Sequence, residues 1–487
     1  MGELIAGALR AYHPGLASHD GPMTNQPSCP AAPAGAARAH WSQRSLAQVW
    51  HPCTQMQRLA AAPPLPLVRG QGPWLFDHDG RRYFDAISSW WVNLFGHADA
   101  RIGAAVKDQL DRLPHAMLAG CTHEPAVQLA ERLSARTGGV LGHAFFASDG
   151  ASAVEIALKM SFHSWRNRGR PDKREFVCLR GGYHGETLGA LAVTDVKVFR
   201  DAYDPLLLPT HQVMSPDARQ AGPGETAHDV AQRALAELEA LMSARHGQLA
   251  AVIVEPLVQG AAGMAMHDAS YLRGLRALCD RFEVHLIADE IAVGCGRTGS
   301  FFAFEQAAAP GDPPLWPDLV CLSKGISGGY LPLSLVMVRE AIFEAFLDER
   351  SERAFLHSHS YTGNPLACRA ALAVLDRFDD EPVLARNRAV ADRLAVHLAP
   401  LAEDPRVEHL RRCGTIHAFD VKAGYAGSDF AERFHQAGLV RELLIRPIGR
   451  SVYLMPPYVL DEEGAEWLAQ RVCQTLDAIV PRGSHAA

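Results

Sequence analysis

Two stretches, VHLIADE at residues 284–290 and LVCLSKGISGG at 319–329, decide how the chain folds. Each opens on a run rich in branched apolar side chains and closes on a turn signal, the pattern of a strand covered on both faces. Asp289 ends the first run, and Lys324 comes just after the second. In open α/β sheets, ligands collect beyond the carboxyl ends of the strands, so a carboxylate and an amine placed there can grip one small molecule from two sides. Taken singly, each residue has an ordinary reading. An aspartate after a strand is often a helix cap, and a lysine before glycine is often a solvated loop charge. The surrounding sequence has to decide.

On either side, further strands are expected at HAFFAS before Asp149, at FVCLR (176–180), AVIVE (251–255) and SLVMV (334–338). Helical apolar spacing appears at 99–113, 124–137, 151–168, 227–246 and 268–282. This alternation predicts an α/β fold with a large domain built on a mainly parallel sheet. Before it, PWLFDHDGRRYFDAISSWW turns at Asp79-Gly80 as a hairpin would. After Pro365 the pattern is helical to about Leu401 and then mixed. The two chain ends are therefore expected to share a small α/β lobe: 41–98 as its first part, 99–365 as the large domain, 366–480 as its second part. Residues 1–40, rich in Ala, Pro, Gly, Ser and His, predict a mobile leader. The ending PRGSHAA (481–487) resembles a tag remnant and carries no fold information.

With 487 residues, 48% hydrophobic and 21% charged, the chain has the composition of a globular protein of about two domains. A net charge of -7 gives it no general attraction for nucleic acid. No apolar stretch is long enough to span a membrane, and the N-terminus lacks the basic segment and long apolar core of an export signal. The ten scattered cysteines form no C-x-x-C pair, which suggests reduced thiols in the cytoplasm.

GCGRTG (294–299) fits the dinucleotide fingerprint G-x-G-x-x-G, but that motif needs a strand before it and a helix after it. Here prolines at 310, 313, 314 and 317 break the next segment, so a tight loop below Asp289 is the better reading and an NAD(P) oxidoreductase a remote one. SDGASAVE puts Gly150 at a strand-to-helix turn, where free N–H groups could hold a phosphate. GGYHGETLG offers Tyr183 and His184 on a glycine-flanked loop, where a ring could cover a planar cofactor. His357 and His359 make no metal site, since no carboxylate or cysteine completes a known spacing. Nearby stands Ser360, and Asn364-Pro365 marks a helix start. A lysine to form a Schiff base and an aspartate to keep a pyridine nitrogen protonated are what pyridoxal phosphate requires.

The ordered segments YHGETLGA, VEPLVQGAAGM, LIADEIAVGCGRTG, LSKGISGG, YTGNPLACRAA and IRPIGRSVYLMPPY together resemble the class III aminotransferases of fold type I. The likeness covers roughly 49–460. The resemblance implies pyridoxal 5'-phosphate as cofactor, with Lys324 as the Schiff-base lysine, Asp289 as partner of the ring nitrogen and Tyr183 as the aromatic beside the ring. It implies Gly150 and Ala151 at the phosphate turn. Ser360 would reach the phosphate of the neighbouring subunit, which implies a homodimer with shared sites. WHPCTQM, SSWW and YLMPPY further resemble the biotin-pathway branch of the family, which aminates 8-amino-7-oxononanoate to 7,8-diaminononanoate. That likeness implies that Trp90 and Trp91 wall the substrate pocket, that Arg446 receives the substrate carboxylate, and that S-adenosylmethionine is the amino donor. Another ω-amino-acid or ornithine-type transaminase would share the cofactor residues and differ in those pocket residues.

The chain departs from the pattern at three places. Ala151 stands where Ser or Thr usually comes after the phosphate-turn glycine, with Ser152 one position later. Ser360 stands where Thr is commoner, which keeps the hydroxyl. Cys53 occupies a substrate-lining position where a well-known form carries Tyr, so the donor is the point to test.

Overall fold

The computed structural model describes residues 36–481. Residues 1–35 of the expected leader and 482–487 of the expected tail lie outside them. The chain divides into two compact units, with the boundary between Pro66 and Leu67.

Within the first unit, Ala36–Gln48 is a helix, which corrects the expectation of a leader running to residue 40. The segment AARAHWSQRSLAQ is made almost wholly of good helix formers, and its alanines act here through helix propensity. A short 3₁₀ turn, Met56–Ala60, comes next, and Ser42 Oγ donates to Pro64 O at 2.9 Å. Between them Cys53 is exposed, with φ of 50°.

The second unit is built on a seven-stranded sheet. Its strands are β1 (His143–Ala147), β2 (Glu175–Leu179), β3 (His211–Val213), β4 (Leu249–Val254), β5 (His285–Asp289), β6 (Leu319–Leu322) and β7 (Ser334–Val338). Their order across the sheet is β3-β2-β4-β5-β6-β7-β1. Every pair from β3 to β6 is parallel, and only β7 runs against its neighbours. The central strands are buried along their whole length, as their unbroken apolar runs require. Helices Gly150–Asn167, Ala227–Arg245 and Ser270–Phe282 cover the sheet, the last two packing on each other.

The register of β5 on β6 places the site. Asp289 lies level with Cys321, so Lys324, a short step past the end of β6, emerges at the same edge of the sheet.

Chain ends meet in a separate sheet, where Leu443–Leu444 pairs in parallel with Arg82–Asp85 of the Asp79-Gly80 hairpin. Trp467 of helix Glu462–Ile479 packs its ring 5.1 Å from Trp74 and 5.5 Å from Phe84, closing the core of this lobe. A three-stranded antiparallel sheet, Val407–Cys413, Ile416–Val421 and Ser451–Leu454, completes the C-terminal part, where the sequence pattern is mixed. No described helix is long and apolar enough to cross a membrane.

Candidate active site

At the carboxyl edge of β4, β5 and β6 lies a cavity of about 290 Å³. Its lining includes Lys324, Asp289, Tyr183, Gly150, Ala151 and Trp91, so residues spread over more than two hundred positions of sequence converge on one space. Asp289 is not a helix cap. It is buried, Oδ1 accepts from the Ile291 N–H at 3.1 Å, and Oδ2 accepts from His184 Nδ1 at 2.7 Å. Two fixed donors hold that carboxylate in one orientation.

Lys324 comes after β6 with φ of 46°, a left-handed conformation that costs a residue with a Cβ about 1–2 kcal/mol. Such strain at a strand end is a mark of a functional position. Its ammonium lies 5.0 Å from the centroid of the Trp91 ring. Burial pulls the Lys324 pKa down, against the opposing pull of Asp289 and Glu255. The amine is thus nearer to its neutral, proton-accepting form than a surface lysine.

The floor of the cavity is the start of helix Gly150–Asn167. Asp149 caps it by accepting from the Ser152 N–H and Oγ, which commits Ser152 to the cap and away from the cavity. The N–H groups of Gly150 and Ala151, at the first helical positions, have no intrahelical acceptor, which is the arrangement that can take an anion. Gly185 (φ 124°) approaches so closely that a Cβ there would sit 2.5 Å from that of Ala151. A larger residue at 151 would meet the same backbone, so Ala151 fits its surroundings.

Tyr183 presents its ring beside Phe199, at 5.4 Å between centroids, and its hydroxyl donates to Glu186 Oε1 at 2.8 Å. Trp91 is buried, with Nε1 donating to the Tyr453 hydroxyl at 3.1 Å. Trp90 is 45% exposed, and the Arg446 guanidinium stands over its ring at 5.4 Å. Arg446 is exposed and has no ion-pair partner among the described residues. Of Trp90, Trp91, Tyr453 and Arg446 only Trp91 lines the cavity, while Trp90 and Arg446 face each other outside its lining. Ser360 is exposed and does not line this chain's cavity, and Cys53 belongs to the first unit. The two histidines before Ser360 bond each other, Nε2 to Nε2 at 3.2 Å, and His357 Nδ1 accepts from Lys159 Nζ at 2.8 Å.

GCGRTG is a loop, as the prolines after it imply. Gly294 N–H returns to Glu290 O at 2.9 Å, and only a short 3₁₀ turn, Ala303–Ala307, comes after it.

Sequence reasoning passed over Glu255. It comes directly after β4, lines the cavity, and accepts from the N–H groups of Tyr183 at 3.0 Å and Gly260 at 2.9 Å. The signal was available, because Glu255 stands after a buried strand at the same sheet edge as Asp289. Burial pushes the Glu255 carboxyl up to about 7, with His184 opposing the rise and Asp289 adding to it. Below pH 4.5 both folded and unfolded chains hold this proton, and between 4.5 and 7 only the folded chain does. Stability from Glu255 is thus full at low pH and lost as pH rises through about 7. Denaturant unfolding of wild type and Glu255→Gln should show it, the wild type losing about 2–3 kcal/mol relative to the variant between pH 5 and 8. A difference that does not change with pH would contradict this.

Comparison with known proteins agrees with the geometry. The family model for aminotransferase class-III matches residues 56–476. The chain is 41% identical, over 89% of its length and 97% of the relative's, to the adenosylmethionine-8-amino-7-oxononanoate aminotransferase of Helicobacter pylori. It superposes on the crystal structure of the Methanocaldococcus jannaschii enzyme of the same name with a TM-score of 0.83 and 31% identity, covering 91% of this chain and 99% of that one. An amine transaminase from an uncultivated Pseudomonas species, solved in its PLP-bound form, superposes with a TM-score of 0.82 and 30% identity, covering 89% and 99%.

Proposed function

Because the chain belongs to the class III aminotransferases, which work with pyridoxal 5'-phosphate, we propose that it aminates 8-amino-7-oxononanoate to 7,8-diaminononanoate, with S-adenosylmethionine as donor. The observation that carries the substrate is the Arg446 guanidinium over the exposed Trp90 ring, next in sequence to the cavity-lining Trp91, a pairing that suits a flexible apolar chain ending in a carboxylate. The names of the relatives, 41% identical in Helicobacter pylori, support the same reading.

The donor set at the sheet edge fits the cofactor: an amine, an oriented carboxylate and a helix start with free N–H groups all line one cavity. When bound, pyridoxal 5'-phosphate supplies an aldehyde that takes up amines and a protonated ring that withdraws electrons from the carbon whose proton is moved. Lys324 would hold the aldehyde end of the cofactor, and its Nζ would be the group that takes up and returns the proton moved during amine transfer. Its lowered pKa suits that role. Asp289, fixed by Ile291 N–H and His184, offers a carboxylate oxygen to the ring N–H. Gly150 and Ala151 would offer N–H groups to the phosphate, and Tyr183, which lines the same cavity, would lie beside the ring. Ser360, exposed on its loop and outside this chain's cavity, would serve the phosphate of a second subunit in a homodimer. The nine described cysteines are free thiols, in keeping with a cytoplasmic enzyme.

The donor separates this reading from the other transaminases, whose cofactor residues would be the same. The purified protein, loaded with cofactor and given 8-amino-7-oxononanoate, should make 7,8-diaminononanoate with S-adenosylmethionine and fail with lysine or ornithine. Cys53→Ala should raise the donor KM several-fold while leaving that of the keto substrate nearly unchanged. Turnover with lysine and none with S-adenosylmethionine would overturn the donor assignment.

A further inference from the structure

The two tryptophans stand on an unusual piece of backbone. Ser88, Ser89, Trp90 and Trp91 have φ of 51°, 47°, 71° and 73°, so Ser88–Trp91 is a single turn of left-handed helix containing no glycine. Each such residue sets its Cβ against a carbonyl oxygen, and left-handed residues normally occur singly. A run of this kind persists only where its surroundings over-determine it. Here two fully buried, oppositely charged side chains do so, and neither lines the cavity.

On the entry side stands Asp85, with no exposed surface. Its Oδ1 accepts from the Ser89 N–H at 2.8 Å, and its Oδ2 accepts from Ser89 Oγ at 2.6 Å and from His97 Nε2 at 2.9 Å. His97 is held in turn by Asn93 Nδ2, which donates to Nδ1 at 3.1 Å. On the exit side is Arg297, the arginine of GCGRTG, 1% exposed. It donates to Asn93 O at 2.9 Å, Trp91 O at 3.5 Å and Pro456 O at 2.8 Å, while its guanidinium lies 5.0 Å over the Tyr458 ring. The turn also abuts the loop that carries Lys324. Gly329 (φ 83°) lies so close that a Cβ there would meet Asn93 and Val92 backbone at 3.1 Å.

We infer that Asp85 and Arg297 are positioning residues that clamp the left-handed turn from its two ends and thereby set where Trp90 and Trp91 stand relative to Arg446 and Lys324. A relaxed right-handed turn would rotate both indoles away from those partners. The clamp gives a role to the glycine-rich motif that resembles a dinucleotide fingerprint. Its arginine binds backbone carbonyls of the substrate wall, and its glycines let the loop reach them. This rests on the proposed function in taking the tryptophans and Arg446 as the keto-substrate wall.

The test uses the cofactor-loaded full chain and Asp85→Asn, whose amide nitrogen cannot accept from Ser89. The KM for 8-amino-7-oxononanoate should rise at least tenfold with kcat within threefold, and the donor half-reaction should change less than threefold. Independently of any substrate, hydrogen–deuterium exchange in peptides covering 86–93 should speed up at least tenfold, while peptides of β4 and β5 stay unchanged. Ser89→Ala, which removes one donor and leaves the Asp85–His97 bond, should show the same pattern at about threefold and serves if Asp85→Asn does not fold. Unchanged exchange at 86–93, or a rise shared equally by the sheet, would overturn the clamp. A wild type that does not aminate the keto substrate would overturn the proposed function instead, and the exchange result would still decide on the clamp.

Discussion

Lys324→Ala is expected to lower amine transfer by more than roughly a thousandfold while leaving the protein folded. Lys324 has two tasks, holding the aldehyde end of the cofactor and carrying the proton, and alanine can do neither. The fold should survive because the side chain donates no hydrogen bond to any described residue; its ammonium lies 5.0 Å from the centroid of the Trp91 ring. The cost of its positive φ of 46° is the same in lysine and alanine, so the change in stability should be small beside the loss of turnover. Borohydride treatment should fix cofactor mass to the peptide carrying Lys324 in the wild type and to no peptide in the variant. Cofactor fixed elsewhere, or turnover surviving in the variant, would remove Lys324 from its place.

Arg446→Ala should cost about 2–4 kcal/mol in kcat/KM for the keto substrate, or roughly 30- to 1,000-fold. The guanidinium is exposed, has no ion-pair partner among the described residues, and stands over Trp90 at 5.4 Å. A cation held by an aromatic face, with its fork open, can take a carboxylate in bidentate fashion. The donor half-reaction, measured separately by the change in cofactor absorption, should be much less affected. Equal losses in both half-reactions, or in neither, would show that Arg446 does not receive the keto substrate's carboxylate.

Most of the seven-stranded sheet was legible because its strands are continuous apolar runs. The ends of β2, β5, β6 and β7 fall within one residue of the stretches read from sequence. Lys324 and Asp289 were legible for the same reason, since a polar residue that ends a buried strand is conspicuous. Glu255 comes directly after a buried strand too, but it lacked a chemical partner until the sheet order set β4 beside β5. Helix Ala36–Gln48 was missed because an alanine-rich stretch without a marked apolar face looks like a linker by composition. The left-handed turn at Ser88–Trp91 was beyond sequence reasoning altogether, because nothing in SSWW prefers positive φ. What imposes it are Asp85, held in the hairpin strand, and Arg297, about two hundred residues away, through bonds that exist only in the assembled fold. Arg446 could be found by motif alone, while its apposition to Trp90 depends on the two chain ends pairing through Leu443–Leu444.

Every role given to these residues depends on one transfer, that of an amino group from a donor to 8-amino-7-oxononanoate. The decisive experiment supplies S-adenosylmethionine labelled with ¹⁵N at its amino group, together with the keto substrate, to the cofactor-loaded protein, and weighs the product. Wild type should yield 7,8-diaminononanoate carrying one ¹⁵N, and Lys324→Ala should yield no such product. Unlabelled diamine, or labelled amine delivered to a different keto compound while 8-amino-7-oxononanoate is left untouched, would contradict it.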